Sequence, residues 1–138
     1  MITTYTNTTP EEEAIYAMLI GYQPLVDAVE GNISPDVEMD QSAKRYVVYH
    51  IITGTPTSVK KQISRVDNVR FQVDTYAKTR HQASADAKLA RAAIENRTGT
   101  FAGLKVTQSK WESFNGNFDE GNEQYKTSND FIIKIQNE

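Results

Sequence analysis

Apolar residues fall at helical spacing near the start of the chain, at Ala14, Ile15, Met18 and Leu19, a stripe that predicts an amphipathic helix. Thr9-Pro10-Glu11-Glu12 supplies its start: Thr9 as cap, Pro10 in the first helical position, and Glu12 closing a capping box three residues on. Glu11, Glu12 and Glu13 put negative charge at the positive end of the helix dipole, and Gly21 ends the pattern. A second short helix is expected from Pro24, burying Leu25 and Val29 and closing at Gly31. Residues 32–44, with Ser34-Pro35 and the spaced acids Asp36, Glu38 and Asp40, read as loop.

The period then shortens. Residues 46–53 are β-branched and aromatic and predict a strand partly covered on both faces, with Gly54-Thr55-Pro56 breaking it. Residues 57–65 read as an extended connection. Val69, Phe71, Val73, Thr75 and Ala77 alternate with Arg70, Gln72, Asp74, Tyr76 and Lys78. That period of two predicts a strand with one core face and one face that is wet or shared with a partner. Residues 80–97 return to helical spacing: Ala83, Ala87, Ala90 and Ile94 form a stripe, widened by Leu89 and Ala93, with Ser84, Lys88, Arg91 and Glu95 opposite. An alanine-rich stripe predicts close approach to a sheet face, and Thr98-Gly99 ends the helix. Two further strands are expected over 104–114 and 125–135, flanking a turn-rich tip at 115–122. The order α-α-β-β-α-β-β points to an α+β fold, an antiparallel sheet of about four strands with helices packed on one face. The expected organisation is a single domain over 1–138, with 1–9 as a flexible arm.

Composition narrows the function classes. The chain has 138 residues, about one domain's worth. Fifteen Lys and Arg against 18 Asp and Glu give a net charge of -3, which disfavours wrapping nucleic acid by counterion release. With no cysteine, disulfides, Cys-zinc sites and thiol nucleophiles are excluded. No apolar run approaches the ~20 residues of a membrane span. Met1-Ile2-Thr3-Thr4-Tyr5 lacks the basic and apolar regions of a secretory leader, so the protein is expected to work where it is made, or in an assembly built there.

Candidate chemistry is sparse. His50 lies inside a strand and His81 opens a helix, which excludes a histidine-rich metal site. Asp36, Glu38 and Asp40 imitate the start of a calcium loop, but Gln41 and Val47 stand where its glycine and closing glutamate belong. Neither a Gly-x-Ser-x-Gly elbow nor a phosphate loop is present. No catalytic residue, metal or cofactor is assigned. Trp111, Phe114 and Phe118 lie close to a turn, and Phe118, between Asn117 and Asp119, is the one expected to meet a partner. A basic connection carrying Val59, Lys60, Lys61, Ile63 and Arg65 is expected to contact an acidic stretch of a neighbouring copy, Asp119-Glu120 or Asp36 to Asp40. The rival reading is a small ligand-binding or hydrolytic α+β domain whose site is assembled from scattered residues such as His50, Asp74 and Tyr76.

The segment Val69-Arg70-Phe71-Gln72-Val73-Asp74-Thr75-Tyr76-Ala77-Lys78-Thr79, followed by the helix with Ala83, Ala87 and Leu89, resembles the phage tail-completion family, also described as tail terminators or tail-to-head joining proteins. Ala14-Ile15-Tyr16-Ala17-Met18-Leu19, Tyr46-Val47-Val48-Tyr49 and Tyr125-Lys126-Thr127-Ser128-Asn129-Asp130-Phe131 stand in the family's order, so the similarity spans residues 11–135. Arg45 departs from the pattern where a proline is common, and Asn32 where an arginine is common. The resemblance implies a non-enzymatic virion protein at the neck between tail and head, assembled in the bacterial host cytoplasm. It also implies a ring, usually of six copies, that caps the tail tube protein and faces the head connector. DNA would pass through that ring without tight binding, and neither cofactor nor membrane is involved.

Overall fold

The protein is described here from a computed structural model, which covers residues 10–35, 45–56, 65–119 and 124–137. Helix α1 (Pro10–Ile20) opens on its proline and buries Ala14, Ile15, Met18 and Leu19, the stripe its spacing predicts. Helix α2 (Gln23–Val29) buries Leu25 and Val29. It closes through two left-handed residues, Glu30 (φ 53°) and Gly31 (φ 74°), the second of which returns its N–H to the Val26 carbonyl at 3.0 Å.

Six strands follow: β1 (Ile33–Pro35), β2 (Tyr46–Pro56), β3 (Arg65–Ala77), β4 (Gly99–Phe101), β5 (Leu104–Asp119) and β6 (Gln124–Asn137), with helix α3 (Arg80–Ile94) between β3 and β4. Their order in the sheet is β1-β2-β3-β6-β5-β4. The β2–β3 and β5–β6 hairpins join through an unbroken antiparallel ladder from Arg65↔Asn137 to Ala77↔Tyr125. Only β1 runs parallel to its neighbour, which makes the sheet mixed.

The helices cover one face. Alternation on β3 and β6 sends Phe71, Val73, Phe131, Ile133 and Ile135 inward, where Phe71 stacks on Phe131 with ring centroids 5.4 Å apart. Ala83, Ala87, Ala90 and Ala93 of α3 are buried against this face. Their small side chains allow polar ties between the layers: Thr75 Oγ1 donates to the Ala83 carbonyl at 3.0 Å, and Asn129 Nδ2 to the Ala87 carbonyl at 3.1 Å. Thr79 caps α3 by accepting the Gln82 N–H at 3.2 Å.

Several expectations need correction. Among the described residues the sheet has six strands rather than about four. β1 arises inside the stretch read as loop, because Ile33 is buried and pairs with Val47. β4 arises where only a helix end was expected, through a tight turn at Ala102 (φ 50°) and Gly103 (φ 85°). Gly54-Thr55-Pro56 does not break β2: all three pair with β3, a register shift between Ile51 and Thr53 absorbs the irregularity, and Pro56 ends an edge strand, where no ladder N–H is needed. α3 stops at Ile94 rather than at Thr98-Gly99, because Glu95 turns extended and Asn96 left-handed. Residues 115–119 continue β5 instead of turning, since β6 pairs with them as far as Asp119↔Gln124. Asp74, expected on the wet face, is buried at 4 % exposure, and Tyr76 is half-buried. The expected arm at 1–9, with the Thr9 cap, lies outside the described residues, as do the acidic loop around Asp36, Glu38 and Asp40, the connection at 57–64, and residues 120–123.

Candidate functional site

Among the described residues the longest edge of the sheet without a paired strand belongs to β5. Strand β4 pairs only with its first residues, Leu104 to Val106, so from Lys110 to Asp119 the outer edge has no strand beside it among the described residues. A register shift between Trp111 and Ser113 breaks the simple alternation, so that Trp111 pairs with Phe131 and Phe114 with Asn129. Trp111, Phe114 and Phe118 therefore share the helix-bearing face, beside α3 rather than under it. Trp111 is half-buried, Phe114 is 64 % exposed and Phe118 is 46 % exposed.

These rings are held rather than loose. The Trp111 indole donates to Asn129 Oδ1 at 3.1 Å, and the Arg91 guanidinium lies over its ring, 3.7 Å from the centroid. Trp111 stacks on Phe114 with centroids 6.0 Å apart, and Phe118 packs against Tyr125 at 4.8 Å. Arg80, Gly116, Phe118, Tyr125, Lys126 and Thr127 line a shallow cleft of about 200 Å³ at the same edge. The site thus joins exposed aromatic surface to positive charge.

On α3, Asp86 is the residue that reasoning from the sequence missed. It is wholly buried and receives Arg45 Nε at 3.0 Å and Arg45 Nη2 at 2.5 Å. This charged hydrogen bonding holds the Arg45 guanidinium above its ordinary value, while partial burial opposes the shift. The signal was a single acid at i+3 from Ala83 within the alanine stripe.

His50, Asp74 and Tyr76, the rival set, lie together on the sheet face away from the helices, where His50 pairs with Gln72, Val48 with Asp74, and Tyr46 with Tyr76. Asp74 and Tyr76 are engaged with the sheet itself. Asp74 Oδ1 accepts Gln72 Nε2 at 2.8 Å, Tyr76 stacks on Tyr46 at 4.7 Å, and Tyr46 donates to Gln124 at 3.0 Å. His81 is exposed at the start of α3. Among the described residues no three of His, Cys, Asp and Glu gather as a metal site, and no helix is long and apolar enough to cross a membrane.

Of the interface candidates, Phe118 is exposed at the open edge. Asp119 ends β5 opposite Gln124, and Arg65 begins β3 opposite Asn137. Arg65 and Asp119 thus stand at opposite ends of the strands, separated by about 40 Å of ladder, and cannot meet within one copy. Val59, Lys60, Lys61, Ile63 and Glu120 lie outside the described residues.

Comparison with known proteins bears on this architecture. The family model described as tail completion protein gp17 matches residues 13–135. A chain in the structure titled "Virion of native gene transfer agent (GTA) particle" superposes with a TM-score of 0.72 at 13 % identity, covering 90 % of this chain and 92 % of the other. No curated protein matches the sequence. The likeness to the gene transfer agent chain establishes a shared fold, and the family match extends over nearly every element described above, from α1 to β6. The chain therefore belongs to the gp17 family of tail completion proteins, structural and non-catalytic components of the virion that act where tail joins head.

Proposed function

We propose that this protein caps the finished tail tube as a ring of identical subunits, six in number, and presents the opposite surface of that ring to the head-completion or connector protein. The whole chain, 1–138, acts as one domain in that ring. DNA passes through the opening without being retained. The observation that carries this reading is the family match over residues 13–135. The net charge of -3 supports passage without retention, since tight phosphate contacts would slow a translocating duplex. Assembly takes place in the host cytoplasm before heads and tails meet. Val59, Lys60, Lys61, Ile63 and Arg65, and Phe118, Asp119 and Glu120, serve as contacts to neighbouring subunits or to the tail and head partners.

Electron microscopy of purified tails with and without the protein tests this. Added protein is expected to appear as a disc at one end of each tail and to restore head attachment to tails lacking it. Tails that join heads equally well without the protein would refute the proposal.

A further inference from the structure

Charge is distributed unevenly along this fold. Residues 10–35, which form α1, α2 and β1, carry five acids and no Lys or Arg. Residues 78–110, from the start of α3 into β5, carry seven Lys and Arg against two acids. Both of those acids are paired, Asp86 with Arg45 and Glu95 with Arg91. Each charged region also holds exposed apolar surface. On α1, Glu13, Tyr16 and Ile20 follow one another at i, i+3 and i+7 along the outer face, with Tyr16 39 % and Ile20 42 % exposed. On β5, Phe114 and Phe118 stand out on the face that carries Arg80 and Arg91, while Lys110 is paired with Glu112 at 3.5 Å.

In one copy α1 also reaches β4 and β5, but Tyr16 and the outer face it marks lie toward β2. Tyr16 stacks on Tyr49 of β2, whereas Phe114 belongs to β5, and β3 and β6 lie between those strands. We infer that the aromatic edge of β5 docks on the acidic outer face of α1 in a second copy of this chain. Opposite charge at the rim selects the pairing, and the exposed rings and Ile20 supply the buried centre. Two different surfaces in contact make a head-to-tail interface, the type that closes into a ring under rotation. The inference deepens the ring proposed above and rests on it.

Two full-length variants test the contact. Phe114→Glu places an acid in the aromatic edge, and Glu13→Lys with Ile20→Lys reverses the α1 face. All three positions are exposed, so circular dichroism should match the wild type, and melting should fall only slightly from the lost helix-dipole contact of Glu13 and the lost stacking of Phe114 on Trp111. By sedimentation, the wild type is expected to self-associate, and each variant to do so at least about tenfold more weakly, as for loss of a central aromatic anchor. Mixed together, the two variants should form a 1:1 dimer and nothing larger, because each keeps the surface the other has lost. A wild type monomeric up to its solubility limit, a variant that still assembles, or a mixture that stays monomeric would overturn the contact. Saturable binding of duplex DNA, abolished by Arg80→Glu with self-association unchanged, would also overturn it by assigning the basic edge to nucleic acid. Head attachment is read separately. Attachment unaffected by either variant leaves the functional reading standing and removes this contact, while the expected dimer from a protein that never reaches tails does the reverse.

Discussion

Arg45, just ahead of β2, spans 41 residues of sequence to place its guanidinium against both oxygens of Asp86, which is wholly buried on α3. The arginine is only part-buried, its side chain 30 % exposed, so the two partners respond differently to loss of the other. Without Asp86, Arg45 can return to water. Without Arg45, a buried carboxylate has lost its counter-ion.

Arg45→Ala should therefore cost about 3 kcal/mol in urea denaturation, and the double variant with Asp86→Ala should be less destabilised than Arg45→Ala alone. The arginine's value is raised in the folded state, so its contribution is fully present below its ordinary value and is lost only as pH rises through the higher, folded one. The stability gap between wild type and Arg45→Ala should stay flat from neutral into mildly alkaline solution. A gap that closed over that range would show that the ion pair is not its source.

Phe71 and Arg70 test the register of the central strand. Phe71 is fully buried against Phe131, and its replacement by alanine should cost about 3–5 kcal/mol. Arg70 points away from the helices and pairs with Asp130 at 3.0 Å on the exposed surface, so Arg70→Ala should cost about 0.5 kcal/mol or less. Reversal of that ranking would mean that the strand is shifted by one residue.

Asn129 links the helix layer to the aromatic edge, donating to the Ala87 carbonyl and accepting from the Trp111 indole. Asn129→Ala strands a buried carbonyl and frees the indole, at about 1–3 kcal/mol. Trp111 is the only tryptophan in the chain, so its emission should move to longer wavelength in the folded variant. Unchanged emission would place the indole in a different environment.

Ser109 governs the end of α3. Its hydroxyl accepts the Arg97 N–H at 2.7 Å and donates to the Ile94 carbonyl at 2.5 Å from a buried position. Ser109→Ala should cost about 1–3 kcal/mol and speed amide hydrogen exchange over residues 95–101 more than elsewhere. Uniform acceleration across the chain would argue against this local role.

The elements readable in advance were those whose pattern repeats. Four residues of α1, two of α2 and the alternation of β3 lie where their spacing places them, because burial on one face fixes period and phase together. What escaped was decided by a partner distant in sequence. β1 exists because Val47 lies beside Ile33, and β5 reaches Asp119 because β6 pairs with it. The β4–β5 turn uses Ala102-Gly103 with both residues left-handed, a conformation usually announced by Asn-Gly, so no local signal marked it. The exposed aromatic edge was half visible. Phe118 stood out as hard to bury, whereas the ridge it shares with Trp111 and Phe114 depends on a bulge that no periodicity reveals.

The register of β5 shifts twice, between Val106 and Gln108 and again between Trp111 and Ser113. A long bare strand is the usual seed for fibrils between copies of one chain. Each kink bends and over-twists the backbone, so a straight strand laid alongside would lose step within a few residues. The same irregularity that brings Trp111, Phe114 and Phe118 onto one face thus denies the edge to an indiscriminate neighbour.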